Sequence, residues 1–160
     1  MAMATGHVIR LAQRQDAEGA SELWANMAQQ HHAYDQQWWG WSDDAVEIWR
    51  RGFFLEKPSE VQMVAVEADG KVIGFVRGRV APNPPILRST SRGAVWDIYV
   101  LPRCRPMGVE AALMEAIMGE FRRRGAQEVT VPVAWINKPA METYEKLGLR
   151  PVVITMYGEL

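Results

Sequence analysis

Three short stretches of the sequence combine residue types that can do chemistry. The first is Arg105-Pro106-Met107-Gly108-Val109-Glu110, an arginine and a glycine standing just ahead of an apolar-periodic run. A glycine turn that opens straight into a helix points unpaired N–H groups, and the positive end of the helix dipole, at one spot. That suits a phosphate-bearing ligand. A plain glycine turn with an exposed arginine would produce the same pattern. The second stretch is NKPAMETYEKLGL, where Tyr144 offers a phenol that can donate to developing negative charge and Asn137 stands where a helix cap belongs. The third is Asp97, a carboxylate within the apolar run VWDIYV. As a general base it would neutralise an incoming ammonium, whose pKa of ~10.4 keeps it charged at neutral pH. It could equally be bonded to a neighbouring backbone group or arginine. Glu67, just before a turn, is a second carboxylate open to the same two readings.

The segment HHAYDQQWWGWSDD, residues 31–44, concentrates His31, His32, Tyr34, Trp38, Trp39 and Trp41. These side chains could wall a pocket for an aromatic, aliphatic or cationic acceptor. Core packing or the face of a homodimer accounts for the tryptophans as well. No metal is expected, because a site needs three or four ligands and His7 is the one other histidine. Cys104 lies beside two arginines that could lower its pKa, but with no base nearby it reads as a bystander open to alkylation. The run Arg122-Arg123-Arg124 reads as a solvated helix end.

These residues need elements to hold them. Residues 95–100 crowd Val, Trp, Ile, Tyr and Val as a buried strand does, Pro102 ends the ladder, and Val109, Leu113, Ile117 and Phe121 recur at helical spacing until Gly125. HVIRLA reads as a first strand, followed by a helix that Asp16 can cap. A second helix starts near Ser42 and Asp43 and ends before Pro58. VQMVAVEADGKVIGFVRGRV is a hairpin turning at Asp69-Gly70. Residues 81–92 read as a loop, 128–133 as a strand, the stretch after Asn137 as a helix ending at Gly148, and 151–157 as a last strand.

At 160 residues the chain is expected to be one domain over 1–160, and a single cysteine suits a reducing cytoplasm. No run reaches the ~20 apolar residues of a membrane helix. The first residues lack the features of a signal peptide. A formal net charge of −1 gives no support for nucleic acid or an anionic membrane as partner.

Val100-x-Pro102 followed by Arg105-x-x-Gly108 and a helix resembles the acyl-CoA pyrophosphate loop of the GNAT superfamily of N-acetyltransferases. Asn137, Ala140, Tyr144, Gly148 and Leu149 match a second signature of that family, and the element order is similar over nearly the whole chain. The resemblance implies an α/β fold, a mixed sheet of about six to seven strands with helices on both faces. It also implies acetyl-CoA as cosubstrate and acetyl transfer to a primary amine on a small molecule or peptide. Carried over by residue, the backbone at Val100 and Leu101 would pair with the pantetheine arm. Arg105, Met107, Gly108, Val109 and Glu110 would form the pyrophosphate loop, Asn137 would bond the pantetheine, and Tyr144 would serve the departing thiolate. Asp97 is the candidate base, and His31, Tyr34, Trp38 and Trp39 the candidate acceptor wall. Two residues depart from the family pattern. Pro106 removes a donor, and Glu110 stands where the family has Gly or Ala. A carboxylate ~6 Å from a phosphate would cost about 3 kcal/mol per charge at an effective dielectric of ~20, with Arg103 and Arg105 placed to offset it. The alternative is a non-catalytic ligand-binding or interaction protein that keeps the fold and has lost the cradle.

Overall fold

The computed structural model describes residues 6–53 and 57–160. Five strands form one sheet in the order β1 (His7–Leu11), β2 (Glu60–Glu67), β3 (Val72–Pro82), β4 (Ser91–Val100) and β5 (Glu128–Thr130). The first four are antiparallel neighbours, and β5 lies parallel to β4. Helices α1 (Ala17–Tyr34) and α2 (Ala45–Phe53) cover one face, and α3 (Val109–Arg123) with α4 (Lys138–Lys146) covers the other.

The strand period of two sorts the core between these faces. Along β2, Val61, Met63 and Ala65 pack toward α3, while Val64 and Val66 pack toward α1 and α2. Burying each Val, Leu or Phe contributes about 1.5–3 kcal/mol, so both layers hold the sheet. Glycine in the sheet makes room for the α3 helix: a Cβ at Gly93 would fall 2.2 Å from Phe121 Cδ2, and one at Gly78 2.9 Å from its ring.

Two features of β4 prepare a site. Its ladder with β5 spans only residues 92–94, so among the described residues 95–100 have a strand on the β3 side alone. A bulge also sits where Arg77 pairs with Asp97 while Gly78 pairs with Val95, leaving Trp96 as the extra residue.

Several expectations change. Among the described residues the sheet has five strands rather than six to seven, because residues 151–160 form no strand and are exposed throughout. Their β-branched, apolar composition suits a strand, but pairing is a non-local event, and Pro151 offers no N–H to start it. The predicted loop over 81–92 is shorter, since β3 runs to Pro82 and β4 begins at Ser91. Asp16 occupies the cap position of α1 without capping it. Its carboxylate instead takes both Arg10 guanidinium nitrogens, at 2.7 and 2.9 Å, and the Gln13 N–H. Arg122, Arg123 and Arg124 are exposed, as a solvated helix end should be, and Arg124 in addition pairs with buried Glu120 and donates to the carbonyls of Pro58 and Glu60. The end of α2 relative to Pro58 involves residues 54–56, which lie outside the described residues.

Candidate acetyl-transfer site

The site begins where β4 has left β5 behind and keeps a neighbour on the β3 side alone. Leu101 donates its N–H to Ile73 on the β3 side, and the chain then enters a 3-10 turn, Pro102–Met107. Pro102 suits the first position of such a turn, since its missing N–H would have had no acceptor. Gly108 closes the turn in the left-handed region, φ +74°, and α3 starts at Val109. No atom lies within 4 Å of where a Cβ at Gly108 would be, so the backbone there is open to a ligand. The first N–H groups of α3 have no helical acceptors and follow directly on this opening in the chain. Among the loop residues, Val109 is buried in the core and Met107 is exposed.

The loop side chains have partners within the chain. Arg105 is tied down: its Nε donates to the Val100 carbonyl at 3.1 Å, a terminal nitrogen to Gln30, and its guanidinium lies over Tyr99. Arg103 forms a two-pronged pair with Glu67 at 2.8 Å. Neither arginine contacts Glu110. The Arg103 pairing also holds the Glu67 carboxyl below its usual range, making Glu67 the anion of an ion pair rather than a base. Cys104 is fully buried in the α3-side core, so the expected open thiol is packed away.

Glu110 is turned toward α4. Its Oε1 accepts a 3.0 Å hydrogen bond from the Tyr144 hydroxyl, so the unexpected glutamate and the expected tyrosine form one unit. Asn137 caps α4 by accepting from the Ala140 N–H, which fixes that helix and Tyr144 with it. Tyr144 is almost wholly buried, and that burial, together with the adjacent Glu110 charge, pushes its phenol well above the usual value. The hydroxyl is therefore a hydrogen-bond donor and a very poor proton donor.

On the opposite face, at the β4 bulge, Asp97 accepts from the Trp49 indole at 3.0 Å and stands across the ladder from Arg77. Burial raises its carboxyl, against the opposing effects of the Trp49 hydrogen bond, Arg77 and His31. Burial likewise lowers the His31 imidazole.

The aromatic segment divides into two groups. His31 stacks on Trp39 with centroids 4.9 Å apart and meets the edge of Tyr34, while Trp38 is exposed and meets Tyr157 at 5.4 Å. Trp24, Trp41 and Trp49 instead wall a cavity of about 400 Å³, joined by Arg77. Sequence reading placed His31, Tyr34, Trp38 and Trp39 together but missed Trp24, Trp49 and Arg77. Those three lie on separate elements and are joined to the rest only by long-range contacts: Arg77 pairs across the ladder with Asp97, Trp49 donates to Asp97, and Trp24 meets Trp41.

Residues 11–149 match the acetyltransferase (GNAT) family profile. An N-alpha-acetyltransferase of Sulfurisphaera tokodaii is 32% identical over 109 residues, covering 64% of this chain and 65% of that protein. A mycothiol acetyltransferase of Saccharomonospora viridis is 34% identical over 102 residues, 63% of this chain and 30% of that one. The alignments thus span less than two thirds of these relatives' own lengths. Among solved structures, a mutant protein from Bacillus halodurans superposes with a TM-score of 0.82 at 20% identity, covering 96% and 99% of the two chains. Aminoglycoside N-acetyltransferase AAC(6')-Iy in complex with CoA gives 0.75 at 20% identity, covering 100% and 98%. These two likenesses concern the fold. With the profile match running from β1 to the end of the α4 turn, the chain belongs to the acetyltransferase (GNAT) family.

Proposed function

We propose that the protein moves the acetyl group of acetyl-CoA directly to a primary amine of a small molecule or peptide. The observation that carries this reading is one continuous path: the open edge of β4, the 3-10 turn after it, the amide end of α3, and the Tyr144 hydroxyl that α4 brings to that same end. The backbone at Val100 and Leu101 lies where a pantetheine arm could add as a strand. Arg105 already bonds the Val100 carbonyl, so an incoming amide would share that oxygen or displace the arginine. The glycine opening and the helix end suit a pyrophosphate, although Pro106 contributes no donor.

Asp97 takes a proton from the acceptor ammonium, and the free amine attacks the thioester carbonyl. The tetrahedral adduct loses its second N–H proton to solvent and collapses with cleavage of the C–S bond, the electron pair leaving on sulfur as a thiolate. Tyr144, whose one O–H donates to Glu110 in the free protein, turns that O–H to the sulfur and stabilises the thiolate by hydrogen bonding while keeping its own proton. Most of the rate comes from positioning and from such fixed dipoles.

Buried Cys104 suits a reducing cytoplasm, which we propose as the location. Among the described residues no helix is long and apolar enough to cross a membrane. We also propose a homodimer, on the strength of the exposed apolar residues after α4. The test of the enzymatic reading is calorimetric titration of acetyl-CoA. Micromolar binding together with release of free CoA thiol on adding an amine is expected. Absence of binding at ~1 mM would overturn it in favour of a protein that keeps the fold without the cofactor.

A further inference from the structure

One cavity and one unmatched donor are not used by the chemistry above. The cavity lies between α1 and α2, lined by Trp24, Trp41, Trp49, Ile48 and Arg77. Among the described residues no carboxylate lines it, and the charged group that does is a guanidinium. Trp24 and Trp49 stack at 5.7 Å, and Trp41 meets Trp24 edge-on at 5.2 Å, which fixes a rigid aromatic slot.

Arg77 is mostly buried and held in place by aromatic rings, 5.2 Å from Trp96 and 5.9 Å from Trp49. One terminal nitrogen reaches Glu60 only at 3.5 Å, and among the described residues its shielded Nε has no hydrogen-bond partner. Buried guanidiniums are normally well supplied with acceptors, so this one is under-satisfied, and where it lines the cavity it has capacity for an oxygen from outside the chain. Asp97 sits beside it as the cross-strand partner, and Trp49 joins the two parts of the site by donating to Asp97 while forming a cavity wall. The groups facing Asp97 are Trp49, Arg77 and His31.

We propose that the acceptor is an aromatic α-amino acid, its ring in the tryptophan slot, its carboxylate on the Arg77 guanidinium and its amine at Asp97. An α-amino acid carries its cation and anion on one carbon, as the cross-strand Asp97 and Arg77 present their opposite charges side by side. The ring, one carbon further out, reaches the slot. This assignment rests on the acetyl-transfer reading and narrows it to one acceptor class.

The test compares acceptors on the purified full chain with acetyl-CoA, reading thiol release. L-Phenylalanine should exceed phenethylamine, which lacks the carboxylate, by about 10²-fold in kcat/KM, since a site built around an oxygen rejects the analogue without one. Cadaverine should do no better than phenethylamine. Equal rates for L-phenylalanine and phenethylamine would overturn the proposal while leaving acetyl transfer standing. Equal rates for Phe-Gly-Gly would overturn the carboxylate assignment. Arg77→Lys keeps the charge and removes the planar guanidinium fork, and should raise the KM for L-phenylalanine with little change in kcat. Trp41→Ala, at a partly exposed ring, gives the same readout without disturbing the buried arginine. Should no amine be acetylated, the acetyl-transfer reading fails, and calorimetry decides the ligand. L-Phenylalanine binding that Arg77→Lys weakens would uphold the site, and no binding at ~10 mM would overturn it.

Discussion

Tyr144 and Glu110 share one hydrogen bond, and that bond decides what the tyrosine can do. A phenol buried beside a carboxylate holds its proton more tightly than usual, so removing the hydroxyl removes a dipole rather than an acid. Tyr144→Phe should lower kcat by about 10²-fold, the usual cost of one such donor, while calorimetric acetyl-CoA affinity changes little. Because Glu110 is turned to Tyr144, Glu110→Gln should tighten acetyl-CoA binding by much less than a carboxylate facing the phosphates would require. It should also let the Tyr144 phenol titrate at lower pH, visible in its ultraviolet absorbance. Asp97 gives a pH signature of opposite kind. Only the ionised form takes a proton, and burial raises its pKa, so kcat/KM should fall on acidification through a value above the ordinary ~3.9. The same raised pKa means the fold favours the protonated form, so Asp97 costs stability as pH rises through that range. Asp97→Asn should therefore abolish the acid limb of the profile, lower turnover, and raise the thermal midpoint at pH 7.

The elements that hold these residues were legible where the signal is local. The strand, turn and helix from 95 to 124, the hairpin at Asp69-Gly70 and the cap at Asn137 each follow from neighbours in sequence. What could not be read there is partner choice. Asp16 looked like a cap because caps are short-range, yet Arg10 offers it two charge-assisted bonds that a backbone N–H cannot match. Burial alone would raise the Asp16 carboxyl, but those bonds and the Gln13 N–H outweigh it and hold it low. Its contribution is thus present at neutral pH and lost as pH falls through the depressed pKa. Asp16→Asn should cost about 2 kcal/mol at pH 7 and progressively less on acidification. The closeness of α3 to the sheet was equally invisible, because Gly93 and Phe121 are far apart in sequence. Gly93→Ala should cost about 1–3 kcal/mol by overpacking, and Phe121→Leu in the same chain should recover part of it, as denaturant midpoints would report.

At the scale of the whole molecule, the residues after α4 present an imbalance that a single chain leaves unresolved. Val153 is 81% and Met156 87% exposed, with Val152 and Ile154 exposed beside them, and none of residues 151–160 joins the sheet. A contiguous apolar run of this kind on a β-prone segment is unstable in water unless something covers it. The same chain carries β5, a strand with a ladder on one side only among the described residues, so each copy holds both a free strand and a free edge. Two copies can satisfy both at once about a two-fold axis, and Pro151 in the short connection after Gly148 stiffens the hinge against folding back. Tyr157 rests on Trp38, so the run also passes the candidate acceptor wall, and its position bears on access to the site. Removal of residues 151–160 should convert a dimer to a monomer in sedimentation velocity at ~10 µM while leaving the far-ultraviolet dichroism of the core unchanged. A full-length chain that sediments as a monomer at that concentration would end the dimer proposal and leave the run as a cover for its own chain's acceptor side. In that case truncation should lower the KM for bulky amines without altering affinity for acetyl-CoA, because the β4 edge and the α3 opening do not depend on these residues.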